Sequence, residues 1–394
     1  MDPVSSAKRI HPEVVKWRRE LHRMPEFIFD LPKTSAFVAQ KLTEIGIEHQ
    51  VIAKSGIVGL IRGAKKGPTI ALRADMDAVK LREETGLPFS STCEYMHACG
   101  HDAHTAMLLG AAKILSSNRD VLRGNVKLLF QPAEEHEGGA LPMINEGCMD
   151  NPKVDTIVAF HVGQLFEGVS PGQIGVRYGP IMAAIDTVHV TVKGQGGHSA
   201  RPHLCVDAIT TASEMILSLQ KIISRELNSN RSAVITVGQV HGGTSAHIMP
   251  NEVSFSATVR TLDPDDRDFI EERVKSLCHH IAKANRCDVD VAYLRYYPAT
   301  INDEKTTRAF TASAAKVVGP ENVIEIREPS MGGDDMAYFL QLVPGTYVTL
   351  CTNNPEKGIV YPNHHPKFDV DEDFLWIGSA TFVQFVLDYL EESG

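Results

Sequence analysis

No stretch of this 394-residue chain approaches the ~18 consecutive apolar residues of a membrane-spanning helix. A membrane partner is therefore not expected. Positive charge is also scarce: 39 Lys and Arg stand against 49 Asp and Glu, a formal net charge of −10. Phosphate backbones are bound by clustered basic surface, so nucleic acid is not an expected partner either. Met1-Asp2-Pro3-Val4 has neither the basic nor the apolar segment of a secretion signal. The seven cysteines, at positions 93, 99, 148, 205, 278, 287 and 351, form an odd, scattered set without framework spacing. Reduced thiols in a cytoplasmic protein are the expectation. Internal repeats and low-complexity tracts are missing as well. What is present is the composition of a soluble globular protein, 43% apolar and 22% charged. Its length exceeds the usual size of one hydrophobic core, so two domains are expected.

The pattern from about residue 10 to 180 alternates helices and strands. Val14, Val15, Trp17 and Leu21 mark an amphipathic helix, and Ala36 to Ile45 a second. Strands are expected near 50–62, 69–74, 126–130 and 154–160, with a helix from Thr105 to Leu115. Such alternation implies a sheet covered by helices. The middle of the chain changes character. Val188, Val190 and Val192 alternate with polar residues, and Val206, Ile209, Ala212, Ile216, Leu219 and Ile223 recur at helical spacing. Strands over Ala233 to Val240 and Val253 to Val259, a helix through Ile270 to Ile281 and a strand near Val289 to Leu294 complete the order βαββαβ. That is the ferredoxin-like α+β unit. It predicts an α/β catalytic domain over 1–183 and 297–394, with 184–296 inserted into it.

Five residues of metal-ligand type, Cys99, His101, Glu135, His161 and His364, lie on four segments, each shaped like a strand end or the loop after one. In open α/β sheets, ligands bind beyond the carboxyl ends of the strands, so these residues point to one shared site. Thiolate, imidazole and carboxylate together suit zinc or another first-row divalent ion rather than calcium. Glu134-Glu135 follows an apolar strand directly. Of two such adjacent carboxylates, one can bind a cation while the other takes the proton of an activated water. Asp77 is the candidate carboxylate for orienting His101 through its second ring nitrogen.

In the inserted segment, Gly194-Gln195-Gly196-Gly197-His198-Ser199 ends a strand. Its glycines permit close backbone approach, and His198 could donate to a developing oxyanion. The loop lacks the Lys-Ser/Thr ending of a phosphate loop, so nucleotide binding is not expected. Arg260, on the polar side of its strand, could clamp a carboxylate, and Asn251 could hold the same substrate.

These motifs, His97-Ala-Cys-Gly-His-Asp-Ala-His104, Gln131-Pro-Ala-Glu-Glu135, Gly197-His-Ser-Ala-Arg-Pro-His203 and Asn363-His-His-Pro-Lys-Phe-Asp369, resemble the M20 metallopeptidases. The resemblance runs from about residue 10 to 390. It is strongest to the amidohydrolase branch of hippurate hydrolases, auxin–amino acid conjugate hydrolases and N-acyl-amino acid deacylases. It implies a zinc-exopeptidase-like catalytic domain with an inserted lid and dimerisation domain, hence a homodimer. It further implies two divalent ions (Zn, Mn, Co or Ni) bridged by Cys99, one also held by Glu135 and His364, the other by His101 and His161. His364 is chosen over His365 because the family pattern is His, a small polar residue, then Pro. Glu134 becomes the general base for a metal-bound hydroxide that cleaves the amide of an N-acyl amino acid, and His198 polarises the carbonyl. The resemblance leaves room for an aminohydrolase releasing ammonia from an arylamine, a dipeptidase, or a non-catalytic binding protein. Two departures stand out: Asp334-Asp335-Met336 replaces the frequent Glu-Asp-Phe, and His136-Glu137 follows Glu135 where a Gly-rich run is commoner.

Overall fold

The computed structural model describes residues 1–136 and 138–392; Glu137 lies outside them. The chain opens with helix α1 (Pro3–His22), capped by the Asp2 carboxylate, which accepts from the Val4 and Ser5 backbone N–H groups. Helix α2 (Pro32–Ile45) ends at Gly46. Strands β1 (Glu48–Ile52), β2 (Gly56–Arg62) and β3 (Lys65–Asp75) follow, then α3 (His101–Ser116), β4 (Arg123–Gln131), α4 (Ala140–Asn145), β5 (Thr156–Val162) and β6 (Ile174–Val176).

The chain then enters a separate compact unit, Met182–Thr300 with Met331–Gly333. Its main elements are β7 (Ala184–Lys193), α5 (Ala208–Lys221), β8 (Ala233–Gly242), β9 (Glu252–Thr261), α6 (Pro264–Ala284) and β10 (Asp288–Arg295). The four strands form an antiparallel sheet in the order β8-β9-β7-β10. Val188, Val190 and Val192 of β7 and Val253, Phe255, Ala257 and Val259 of β9 point to one face, where they bury against Ala212, Met215 and Leu219 of α5 and Ile270 and Val274 of α6. The period-two and period-3.6 patterns meet in this core.

The larger unit, Met1–Ile181, Ile301–Ser330 and Asp334–Gly394, resumes with α7 (Glu304–Val318), β11 (Val323–Glu325), α8 (Met336–Leu342), β12 (Gly345–Leu350) and α9 (Leu375–Glu392). Among the described residues its main sheet has eight strands in the order β1-β2-β4-β3-β5-β12-β6-β11. The central run β4-β3-β5-β12 is parallel. Every residue of β5 and β12 is buried, as parallel strands covered on both faces require. Helix α3 packs against β3, α1 and α9, so nearly all its residues are buried and its sequence is rich in Ala, Leu and Gly. Where it meets α9, a Cβ on Gly110 would lie 2.5 Å from Ser379 Oγ. His161, expected just after a strand, stands inside β5, because pairing with β12 continues to Val162↔Leu350.

Candidate metal centre

Parallel strands β4, β3 and β5 are neighbours, and their carboxyl ends deliver Glu134 and Glu135, Asp75 and Asp77, and His161 to one place. The amino end of α3 brings Cys99 and His101. Between them Gly100 adopts φ 85°, and a Cβ there would lie 2.3 Å from Val162 Cγ2. Only glycine allows that turn to pass so close to β5. His364 arrives from the segment before α9, in a left-handed conformation at φ 64°. Its backbone N–H donates to Ala98 O at 2.8 Å, and Asn363 Nδ2 donates to the Cys99 carbonyl at 3.3 Å. A non-glycine residue in that conformation persists only where its surroundings hold it.

The five side chains fall into two groups. Donor atoms of Cys99, His101 and His161 lie within 4.8 Å of one another, and so do those of Cys99, Glu135 and His364. Cys99 belongs to both. Its Sγ is 3.3 Å from His161 Nε2, and His364 Nε2 is 3.1 Å from Glu135 Oε1. His161 uses Nδ1 to donate to Val162 O at 2.7 Å, and His101 uses Nδ1 to donate to Asp77 O at 2.8 Å. Each ring commits Nδ1 to the main chain, so Nε2 is the nitrogen that faces inward and that a metal ion would take. His101 Nε2 is buried and has no hydrogen-bond partner among the described residues. A buried ring nitrogen left so is costly unless a proton or a metal ion takes its lone pair, and the carboxylates of Asp75, Glu134 and Glu135 lie 3.7–3.9 Å away to favour either cation. The site therefore fits two first-row divalent ions by donor type, grouping and orphaned nitrogen.

Electrostatics agree. Burial, then the carboxylates of Glu135, Glu134 and Asp75, push the Cys99 thiol well above its ordinary value. Burial and the nearby Asp334, Glu135 and Asp335 likewise hold Glu134 well above the usual carboxylate range. Burial opposes protonation of His101, but Asp75, Asp77 and Glu135 outweigh it and push that imidazole up to about 10. Burial alone would neutralise Glu135; contact with His364 and His101 brings it down to about 2. Too many acids share this volume, and positive charge is drawn to it.

Asp77 meets His101 twice: its main-chain carbonyl accepts from His101 Nδ1 at 2.8 Å, and its carboxylate Oδ1 lies 3.5 Å from the same nitrogen. The carboxylate also accepts two backbone N–H groups, Oδ1 that of Glu134 at 3.0 Å and Oδ2 that of Glu135 at 3.1 Å. It thereby aims the Glu-Glu turn, where Ala133 is itself left-handed at φ 58°. In the smaller unit, Asn251 Oδ1 accepts from Gly196 N at 2.9 Å and its carbonyl accepts from Gly194 N at 2.7 Å, so Asn251 shapes the loop that carries His198. Arg260 is half-buried on β9, and its Nε donates to Thr258 Oγ1 at 3.2 Å. His198 is exposed, and its Nδ1 accepts from Ala200 N at 3.1 Å.

A buried ionic layer beneath the centre was not anticipated. Arg73, on β3, donates to Asp75 at 2.8 Å, Asp335 at 3.0 Å and Gln131 at 2.9 Å, and lies 3.2 Å from Asp334. Asp75 accepts from His104 Nδ1 at 2.5 Å, and His104 Nε2 in turn accepts from Val162 N at 2.8 Å. Tyr347 donates to Asp334, and Gln131 and the Ala140 N–H donate to Asp335. The pair Asp334-Asp335 is thus part of the floor under Glu134. An arginine inside the apolar strand Thr69 to Ala74, and a histidine three residues after His101 on one helical face, were the available signals.

The profile of peptidase family M20/M25/M40 matches residues 71–388. The chain is 38% identical over 394 residues to the N-acetyl-L-cysteine deacetylase of Bacillus subtilis, covering 98% of this chain and 90% of that one. It is 36% identical over 389 residues to thermostable carboxypeptidase 1 of Saccharolobus solfataricus, covering 96% and 97%. Its fold matches the crystal structure of a Bacillus subtilis dinuclear metal-binding peptidase from the M20 family with a TM-score of 0.85, at 32% identity, over 98% and 99% of the two chains. The profile spans the acidic floor and all five converging side chains, and on that match the chain belongs to peptidase family M20/M25/M40.

Proposed function

We propose that this protein is a metal-dependent amidohydrolase that cleaves the amide bond of N-acyl amino acids, with two divalent ions held by Cys99, His101, Glu135, His161 and His364. The observation that carries this reading is the pair of three-residue groups sharing one thiol. Family membership and the likeness to a deacetylase support the reaction class. When bound, the ions would supply Lewis acidity that polarises the scissile carbonyl and acidifies the attacking water. Glu134, buried beside Glu135 and raised in proton affinity, takes the proton of that water and returns it to the departing nitrogen. Asp77 keeps the Glu134 backbone in place for both transfers.

His198 donates a hydrogen bond to the oxyanion as the tetrahedral centre forms. Asn251 orders its loop, and Arg260 binds the substrate carboxylate. The smaller unit is assigned here as a lid and dimerisation domain. Support for that role comes from its edge strand β8 and from the exposed apolar side chains of Leu204, Ile209, Leu217 and Ile248. The proposed compartment is the cytoplasm, in keeping with seven free cysteines. No helix among the described residues is long and apolar enough to cross a membrane.

The likeness to a carboxypeptidase makes short peptides the competing substrates. Metal-loaded protein assayed for free amine on N-acetyl and N-benzoyl amino acids, dipeptides and arylamines separates them. Chelator-sensitive release from acyl amino acids is the expected result. Cleavage confined to peptides, or ammonia from arylamines alone, overturns it.

A further inference from the structure

Arg18 and His22, one turn apart on α1, are both fully buried. The Arg18 guanidinium is shared three ways. Its Nε donates to Asp102 Oδ2 at 2.8 Å, Nη2 to Asp369 Oδ1 at 2.8 Å and Nη1 to Glu372 Oε1 at 3.2 Å. The same Asp102 oxygen lies 2.8 Å from His22 Nδ1, and His22 Nε2 lies 3.2 Å from Glu83 Oε1. Asp102 Oδ1 accepts the Ala103 N–H at 2.9 Å, so both carboxylate oxygens are engaged. Phe89 packs on the cluster, its ring 5.1 Å from the guanidinium and edge-on to His22 at 5.5 Å.

The partners of Arg18 come from two particular segments. Asp102 directly follows His101 in the first turn of α3, whereas Asp369 and Glu372 lie between His364 and α9. Arg18 thus ties the segment of His101 to that of His364, one residue from each three-residue group. The two segments also meet where the His364 N–H donates to Ala98 O, and buried Phe368, next to Asp369, would stand 3.7 Å from a Cβ on Gly100. Glu84, the neighbour of Glu83, donates its N–H to Pro366 O at 2.8 Å. A buried ion pair adds little net stability over apolar packing, but removing one partner strands the other. Here what the pairs fix is the approach of two ligand segments, and His364 itself is exposed and left-handed.

We propose that Arg18 is a positioning residue of the metal centre, holding the His364 segment against the Cys99–His101 turn at the spacing that two ions sharing Cys99 require. It acts through Asp102 and Asp369. The inference rests on the two-ion reading and adds an asymmetry to it. His161 is fixed inside β5 and His101 by Asp77, whereas His364 depends on its segment being held. The ion of the Cys99, Glu135 and His364 group is therefore the one that relies on Arg18.

The test is cobalt titration of metal-free wild type, Arg18→Met and Asp369→Asn, followed by visible absorption, with the melting temperature of each protein. Asp369→Asn severs one arm and leaves the buried Arg18–Asp102 pair intact, so it carries the comparison should Arg18→Met fail to fold. It should weaken one cobalt equivalent about tenfold, as losing a residue that orients a metal ligand does, and leave the other within about twofold. The weakened equivalent should match, by its absorption, the one that His364→Ala removes. A network serving stability alone would lower the melting temperature and move both equivalents together or neither. Either pattern overturns the proposal, and so does selective loss of the other equivalent. Wild type that binds fewer than two ions refutes the two-ion reading instead. The tie is then judged by amide hydrogen exchange over residues 361–369 of the metal-free proteins. Exchange there should quicken in Asp369→Asn; unchanged exchange rejects the tie.

Discussion

Replacing Glu134 with Gln keeps the side chain's size and removes only its capacity to accept and return a proton. General-base catalysis by a positioned carboxylate contributes ~10²- to 10⁴-fold, which is about 3–5 kcal/mol of barrier. The variant should therefore lose at least a hundredfold in kcat while KM changes little, because the group acts on the proton rather than on substrate binding. Metal content should hold, since the five proposed ligands are untouched. Stability in the absence of metal should hold or rise by about 1 kcal/mol, because the carboxyl sits buried among Glu135, Asp334 and Asp335 and a neutral amide sheds that repulsion. Steady-state kinetics, elemental analysis and chemical denaturation measure the three quantities. Turnover within threefold of wild type, or loss of an ion, would refute the assignment of Glu134 as the base.

Other expectations follow from the same geometry. Gly100→Ala forces a left-handed residue and a Cβ against Val162, so it should destabilise by about 1–3 kcal/mol and weaken metal binding; an unchanged melting temperature would contradict the packing described. Arg73→Met leaves Asp75, Asp334 and Asp335 buried without their cation and should cost about 3–5 kcal/mol in urea denaturation, with a loss under 1 kcal/mol showing the layer to be dispensable. Glu83, despite burial, is drawn down to about 2 by His22, Thr85 and the Ser91 N–H. A depressed carboxylate stabilises the fold above its unfolded value and loses that contribution as pH falls towards 2. Glu83→Gln should therefore be less stable than wild type at neutral pH, the gap closing on acidification; a gap independent of pH would remove Glu83 as its source.

The legible part of this protein was what chain neighbours encode. Cys99-Gly-His101 and Glu134-Glu135 each lie within a few residues of a strand or helix end, so their convergence followed from sheet topology alone. The period-two run Val253 to Val259 and the 3.6-period run Val206 to Ile223 likewise gave the elements of the smaller unit. What stayed hidden depends on residues far apart in sequence. Arg73 finds Asp334 and Asp335 across more than 250 positions, as does the Gln131–Asp335 contact across 204. Asp77 shows a different gap: both its carbonyl and its carboxylate lie beside His101, and the carboxylate also takes the Glu134 and Glu135 N–H groups, an arrangement set by backbone direction, which spacing does not encode. The same holds for His161, whose strand runs two residues further because β12 lies beside it to pair.

The central claim is that Cys99 serves two ions at once. Cobalt titration of metal-free protein tests it most directly, read by stoichiometry and by thiolate-to-cobalt charge-transfer absorption. The account predicts two cobalt ions per chain, an absorption that grows with both equivalents, and loss of both effects in Cys99→Ser. A single ion, or two ions bound by a protein whose thiolate band is missing, would contradict it.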